Sequence, residues 1–389
     1  MKMSLFAYGF RSQFFLANAA ALVLIPVWAS SFIDGTALGT WWPPTLWHAH
    51  EMLFGFIACA ISGFMLTAVP SWTGQKGFAG PPLMALAAVW IAARVLIATS
   101  LAWPPMLPSL VDLTFLPLLA VLVAIPLIRS RNRNTPLLAV LGAFWLCDLI
   151  FHVGLLRHNS PLALKALIVG IDITLLLVSV IGGRIVPAFT LSALRGQNVD
   201  AKLQSRTALT VVSIMTMVAV IIGDIFWPDT RGAGWIAGAV AVAQAARLAQ
   251  WRGLRTLRQP IVWILHLAYL WLPVGFALKA AALLGGYAIG AFWLHALTVG
   301  ALTTMIVAVM TRASLGHTGR PLSAHPVTTL AYALLGLAAV VRVFGLSVPG
   351  VSYPAVIAVA AAFWTASFLL LIGIYSPILC GPRIDGKPG

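Results

Sequence analysis

Apolar residues run in stretches of about 20 from one end of the chain to the other, broken by short segments rich in Gly, Pro and Arg. A helix of that length crosses ~30 Å of hydrocarbon. The stretches predict about twelve spans, near residues 11–32, 46–70, 83–100, 107–128, 136–156, 162–190, 207–227, 232–251, 261–284, 287–311, 327–346 and 351–378. Hydrocarbon offers no water to the backbone, so each span must satisfy its own N–H and C=O groups as a helix. The predicted fold class is therefore all-α: a polytopic membrane protein whose residues 1–389 form a single transmembrane helical domain. Six spans precede and six follow the basic loop "LRGQNVDAKLQSR", a division common among transporters. No convincing sequence repeat relates the halves.

Composition agrees with this pattern. Of 389 residues, 61% are hydrophobic and 8% charged, with mean hydropathy +0.98. Soluble domains carry roughly 25% charged residues. The net charge of +15 does not indicate nucleic acid, because the cations lie in short loops between apolar runs and no basic, aromatic-bearing soluble module exists. There they set topology and meet anionic membrane lipid. One set of loops holds Lys76, Arg129, Arg131, Arg133, Arg195, Lys202, Arg206, Arg252, Arg255, Arg258, Arg312 and Arg320; the termini add Lys2, Arg11, Arg383 and Lys387. The alternate set holds Arg157, Lys165 and Arg231. This asymmetry predicts both termini in the cytoplasm and an even number of spans. The first run lacks a convincing cleavage site, so it is expected to remain as a span. Cys59, Cys147 and Cys380 are far apart, with no C-x-x-C or C-x-x-C-H, which argues against thiolate clusters and covalently attached haem.

The exceptions to apolarity carry the chemistry. Ionisable groups in hydrocarbon cost several kcal/mol unless paired or ligated, so they mark candidate sites. With the orientation above, many fall in the outer half of the membrane. They are His48, His50 and Glu51 (the only glutamate) on the second span, Arg94 on the third, Asp112 on the fourth and Asp148 and His152 on the fifth. Asp224, Lys279 and His295 lie on later spans, and Asp172 nearer mid-membrane. His48 and His50 are two residues apart, about 200° around a helix, so within a helix they serve opposite faces, unless one of them lies at the helix end. Asp148 and His152 share a face at i,i+4: the carboxylate can orient the imidazole for a metal, or the two can simply pair. Singly, each histidine is also compatible with an interfacial position or an interhelical hydrogen bond. Four imidazoles at one depth on three spans favour metal, and neutral imidazole suits haem iron, copper and zinc.

An inner tier faces the cytoplasm: "AVPSWTG", "GGRIVPAFT" and "MTRASLGHTGRP", with His266 at a similar depth. Pro187 is expected to kink or end the sixth helix. Arg184, about two turns inside its span, needs an anion such as a substrate carboxylate, a haem propionate or Asp172, unless it reaches lipid headgroups. No Walker-type or dinucleotide glycine motif is present.

Together, "WHAHEMLFGF", "GFMLTAVPSWTG", "GGRIVPAFT" and "TRASLGHTGRP" resemble the NnrS family over most of the chain. The resemblance implies a bacterial inner-membrane protein containing haem b and copper. It implies nitric oxide or a related small molecule as ligand, an unknown electron donor, and a role in denitrification or defence against nitrosative stress, with possible nitric oxide-converting activity unassigned. Carried onto this chain, it suggests that His295 with His48 or His50 holds haem. The remaining histidines, His152 and His266 included, are left for metal, and Arg94, Lys279 and Arg184 for haem propionates. A looser similarity to haem–copper oxidase subunit I lies in the span number and in histidines on the second and tenth spans. The paired histidines are on the second span, however, and the sixth and seventh hold none, so an oxidase mechanism does not carry over.

A different class of function is also compatible with the residues: a proton-coupled secondary transporter whose path uses Glu51, Asp148, Asp172 and Arg184.

Overall fold

The computed structural model describes residues 4–196 and 206–387. Lys2 and Lys202, used in the charge argument, lie outside the described residues. Within them the chain is helical and contains no strand. The long helices are α1 (Gly9–Asp34), α2 (Pro44–Thr73), α3 (Pro81–Ala98), α4 (Met106–Arg129), α5 (Leu137–Leu156), α6 (Ser160–Arg195) and α7 (Thr207–Phe226). They continue with α8 (Arg231–Ala249), α9 (Pro260–Gly285), α10 (Ala288–His317), α11 (Pro326–Ser347) and α12 (Tyr353–Cys380).

Eleven of these are long and apolar enough to cross a membrane, which makes the chain a multi-pass membrane protein. The exception is α8, where the sequence predicts a span. The helix is there, 19 residues long, but it is rich in Ala and Gly and carries buried Gln244 and Arg247, which dilute its apolar character. Of the two outcomes expected at Pro187, a kink or an end, the helix does not end: α6 runs through the proline to Arg195. Losing one N–H within a packed helix is tolerable where neighbouring helices supply polar partners.

The chain forms two compact units. The first comprises Met1–Gly170, Ala313–Pro321 and Phe368–Gly389; the second comprises Ile171–Arg312 and Leu322–Ser367. In the first, small residues bring α1 and α2 together. A Cβ on Gly63 would lie 2.6 Å from the Phe14 ring, and one on Gly9 2.3 Å from Leu66 Cβ. Without a hydrophobic drive between helices in lipid, such close approach supplies the dispersion energy. Arg11, fully buried, donates through Nη1 to the carbonyls of Ile378, Leu379 and Gly381 at 3.2, 2.8 and 2.7 Å. It caps acceptors that the end of α12 would otherwise leave unpaired.

In the second unit the same device recurs. Gly234 sits against Leu283 and Leu284, and Gly300 against the Trp271 ring. Arg247 is buried and solvated by neutral groups: its Nη1 donates to Ser179 O at 2.7 Å and to the Tyr269 hydroxyl at 3.2 Å. Tyr269 in turn donates to Gln244 Oε1 at 2.6 Å.

Among the described residues, three stretches wind as π-helix: Glu51–Ile57 in α2, Val178–Gly182 in α6 and Ala296–Thr303 in α10. Such segments are rare and frequently mark functional sites. The first begins beside His50, the second contains Ser179, and the third begins beside His295.

Candidate metal centre

In the first unit, four helices deliver polar groups to one place. His50 and Glu51 lie near the start of α2, Arg94 near the end of α3, Asp112 in the second turn of α4, and Asp148 and His152 near the end of α5. Alternating starts and ends put groups from successive antiparallel helices at one level, so the layer foreseen from the sequence exists within this unit.

His50 Nε2 lies 3.0 Å from Asp112 Oδ2 and 3.2 Å from Asp148 Oδ1; His152 Nε2 lies 3.1 and 3.5 Å from the same two oxygens. These four ligand atoms all fall within 4.8 Å of one another, and all four residues are buried. Ligands bound at about 2.0–2.2 Å in a tetrahedron lie about 3.3–3.6 Å apart, close to the four imidazole–carboxylate distances of 3.0–3.5 Å. Two imidazoles and two carboxylates suit a divalent transition metal.

The surroundings hold this set in place. His50 Nδ1 is 3.1 Å from Glu51 Oε1. If Nδ1–H donates to that carboxylate, the Nε2 lone pair faces the centre, the usual arrangement behind a metal-binding histidine. Arg94 pairs with Glu51 Oε1 at 3.1 Å and with Asp112 Oδ1. Gly55 makes room for it: a Cβ there would lie 2.8 Å from Arg94 Nη1. The ring of His50 stacks on Phe151 with centroids 4.6 Å apart, and Trp42 stands edge-on to both imidazoles at 5.0 and 5.5 Å. These aromatic walls exclude water and strengthen every charge interaction inside.

Charge balance points the same way. Glu51, Asp112 and Asp148 bring three negative charges and Arg94 one positive, leaving two negative charges in a buried site when the imidazoles are neutral. A divalent cation closes that balance, as would protonation of both imidazoles. Carbon-lined interiors do not tolerate the uncompensated alternative.

Of the residues singled out from sequence, His50, His152 and Arg94 meet here. His48 does not. It turns to the opposite face of α2, as its spacing required, and stacks on Trp28 with centroids 4.1 Å apart. Among the described residues, no other group of three or more His, Cys, Asp or Glu side chains is arranged to hold a metal. His48, His266 and His295 therefore stand outside any such cluster. In the second unit, His266 instead shares a 2.8 Å hydrogen bond with Thr190 Oγ1 and lies against Gly253, and His295 is half-buried at the head of the π-helical turn of α10.

The cations suggested for propionates also have protein partners: Arg94 those above, and Lys279 the carboxylate of Asp224 and the face of Trp293, 4.4 Å away. Arg184 is exposed on α6. Asp112 and Asp148 stand out in the sequence as polar exceptions, but nothing in the sequence marks them as ligands. Imidazole is the expected donor in lipid, and only tertiary contact shows that each carboxylate faces two imidazoles.

His50 does not fit as a haem ligand. Both ring nitrogens of His50 already face carboxylates, and Phe151 covers its ring, leaving no axial direction for a macrocycle.

A model of the family described as NnrS protein matches residues 4–383, nearly the whole chain. No curated protein matches the chain.

Proposed function

The chain belongs to the NnrS family, and from that premise we propose that it is a bacterial inner-membrane metalloprotein that handles nitric oxide and protects against nitrosative stress. The observation that carries the reading is the convergence of two imidazoles and two carboxylates within 4.8 Å inside a membrane protein. His50, His152, Asp112 and Asp148 would hold the ion, and the family resemblance favours copper. Copper, when bound, supplies a one-electron redox couple and an affinity for nitric oxide. Haem b, the other cofactor suggested by the resemblance, would not be held by His50, whose ring nitrogens both face carboxylates.

The rest of the site's work is done by this chain's own side chains. Glu51 orients His50, Arg94 fixes Asp112 and offsets one of the three negative charges, and Trp42 and Phe151 keep bulk water away. Nitric oxide is small, neutral and soluble in lipid, so a metal among apolar side chains is accessible to it without an aqueous channel. The loop charges support an orientation with both termini in the cytoplasm, and on that orientation the cluster would lie near the outer face of the membrane.

The test is metal analysis and a reduced-minus-oxidised absorption spectrum on purified protein. Copper near one per chain, lost together with protection against nitric oxide in His50→Ala and His152→Ala, is expected. A folded, metal-free protein that protects cells as well as its His50→Ala variant would refute the proposal.

The proton-coupled transporter reading has no comparable observation behind it: Glu51 and Asp148 are taken up by the metal cluster, and Asp172 lies beside Asp224.

A further inference from the structure

A second set of buried charges lies in the second unit and plays no part in the metal centre. Asp172 on α6 and Asp224 on α7 are within hydrogen-bond reach of each other, and Lys279 on α9 pairs with Asp224 Oδ2. All three are at least 95% buried, with Asp172 at 1% exposure. Lys279 is further fixed over the indole of Trp293. The peculiarity is Asp172. Neither of its carboxyl oxygens receives an N–H or O–H donor from any described residue. The polar group within hydrogen-bond reach of it is another carboxylate, that of Asp224, which when ionised is an acceptor only. Two ionised carboxylates cannot rest side by side in an apolar interior with one cation between them. A hydrogen bond between them exists only if one carries a proton.

We propose that Asp172 and Asp224 form a proton-binding site, in which Asp172 is a neutral carboxylic acid donating to Asp224 and Lys279 holds Asp224 ionised. Two carboxylates, one ammonium and one shared proton make the cluster neutral, the cheapest state for groups in hydrocarbon. The assignment of the proton to Asp172 follows from the partners. Lys279 faces Asp224, so the negative charge stays there, and Asp172 is left to act as donor. This site makes the second unit a place where the protein takes up and stores a proton inside the membrane, independently of any metal in the first.

The experiment compares infrared spectra of the full-length protein in lipid nanodiscs at neutral pH with those of two variants. The parent-minus-Asp172→Asn spectrum should show the loss of a neutral carboxylic-acid carbonyl band with no loss of carboxylate bands. Asn has the shape of the neutral acid, so this variant should fold like the parent. Lys279→Met should add a second acid band, because Asp224 loses the cation that keeps it ionised and takes up a proton. Loss of carboxylate rather than acid absorption in Asp172→Asn, failure of that variant to fold, or an acid band unchanged in Lys279→Met would each overturn the assignment.

Discussion

Replacing Asp112 by Asn tests the metal centre most directly, because one carboxylate makes three of its contacts. Oδ1 pairs with Arg94, and Oδ2 lies 3.0 Å from His50 Nε2 and 3.1 Å from His152 Nε2. Asn preserves the shape and removes the charge. Breaking a buried ion pair by removing one partner costs about 3–5 kcal/mol, since the other charge stays behind. Arg94 keeps Glu51 at 3.1 Å, which puts the expected cost near the lower end, about 3 kcal/mol. That is roughly two decades in the folded-to-unfolded ratio. The metal should suffer more. With one carboxylate gone, a divalent ion would leave a net positive charge in the site, and a weaker, neutral amide oxygen stands in for one of the four donors. Removing even a supporting group behind a ligand costs 10–100-fold in affinity, so the loss here should exceed that. Unfolding can be followed in detergent mixed with dodecyl sulfate, alongside copper content by mass spectrometry. A double-mutant cycle with Arg94→Met should give a coupling energy above about 1 kcal/mol, because the two groups touch. An Asp112→Asn protein that loses less than about 1 kcal/mol and keeps the parent metal content would refute the argument from charge balance.

Three further outcomes follow from the same geometry. His48→Ala should lose about 0.5–1.5 kcal/mol of ring stacking on Trp28 yet retain its metal, whereas His50→Ala should lose the metal; equal retention measured by mass spectrometry would remove His50 from the ligand set. Gly55→Ala should displace the Arg94 guanidinium, pinned as it is between Glu51 and Asp112, and lower stability by about 1–3 kcal/mol, with an unchanged unfolding midpoint as the contrary result. Metal occupancy should fall on acidification, because imidazole must be neutral to ligate, and a pH titration of bound copper that stays flat through the histidine range would contradict imidazole ligation.

How much of this was legible beforehand varies with the kind of signal. Apolar run length found every long helix, because crossing hydrocarbon demands about 20 apolar residues whatever the neighbours are. It failed in degree at Arg231–Ala249, where the helix exists but Gln244 and Arg247 are kept inside by contacts that no local pattern reveals. The i,i+4 spacing of Asp148 and His152 placed them on one face, and the two-residue offset put His48 and His50 on opposite faces. Both conclusions rest on helix geometry alone.

By itself, then, the sequence determined the helical membrane architecture, the faces of α2 and α5 that carry the ionisable groups and the family, since these depend on chain-local quantities: apolar length, helical spacing and ordered motifs. Tertiary structure decided which imidazole meets which carboxylate. It joined Asp112 to His50 and His152 across 62 and 40 positions of sequence, gave Lys279 to Asp224, and wound α2 into a π-turn beside His50. Those choices are made by helix rotation and packing, where burying a charge is affordable only beside its partner, and that partner lies on another helix.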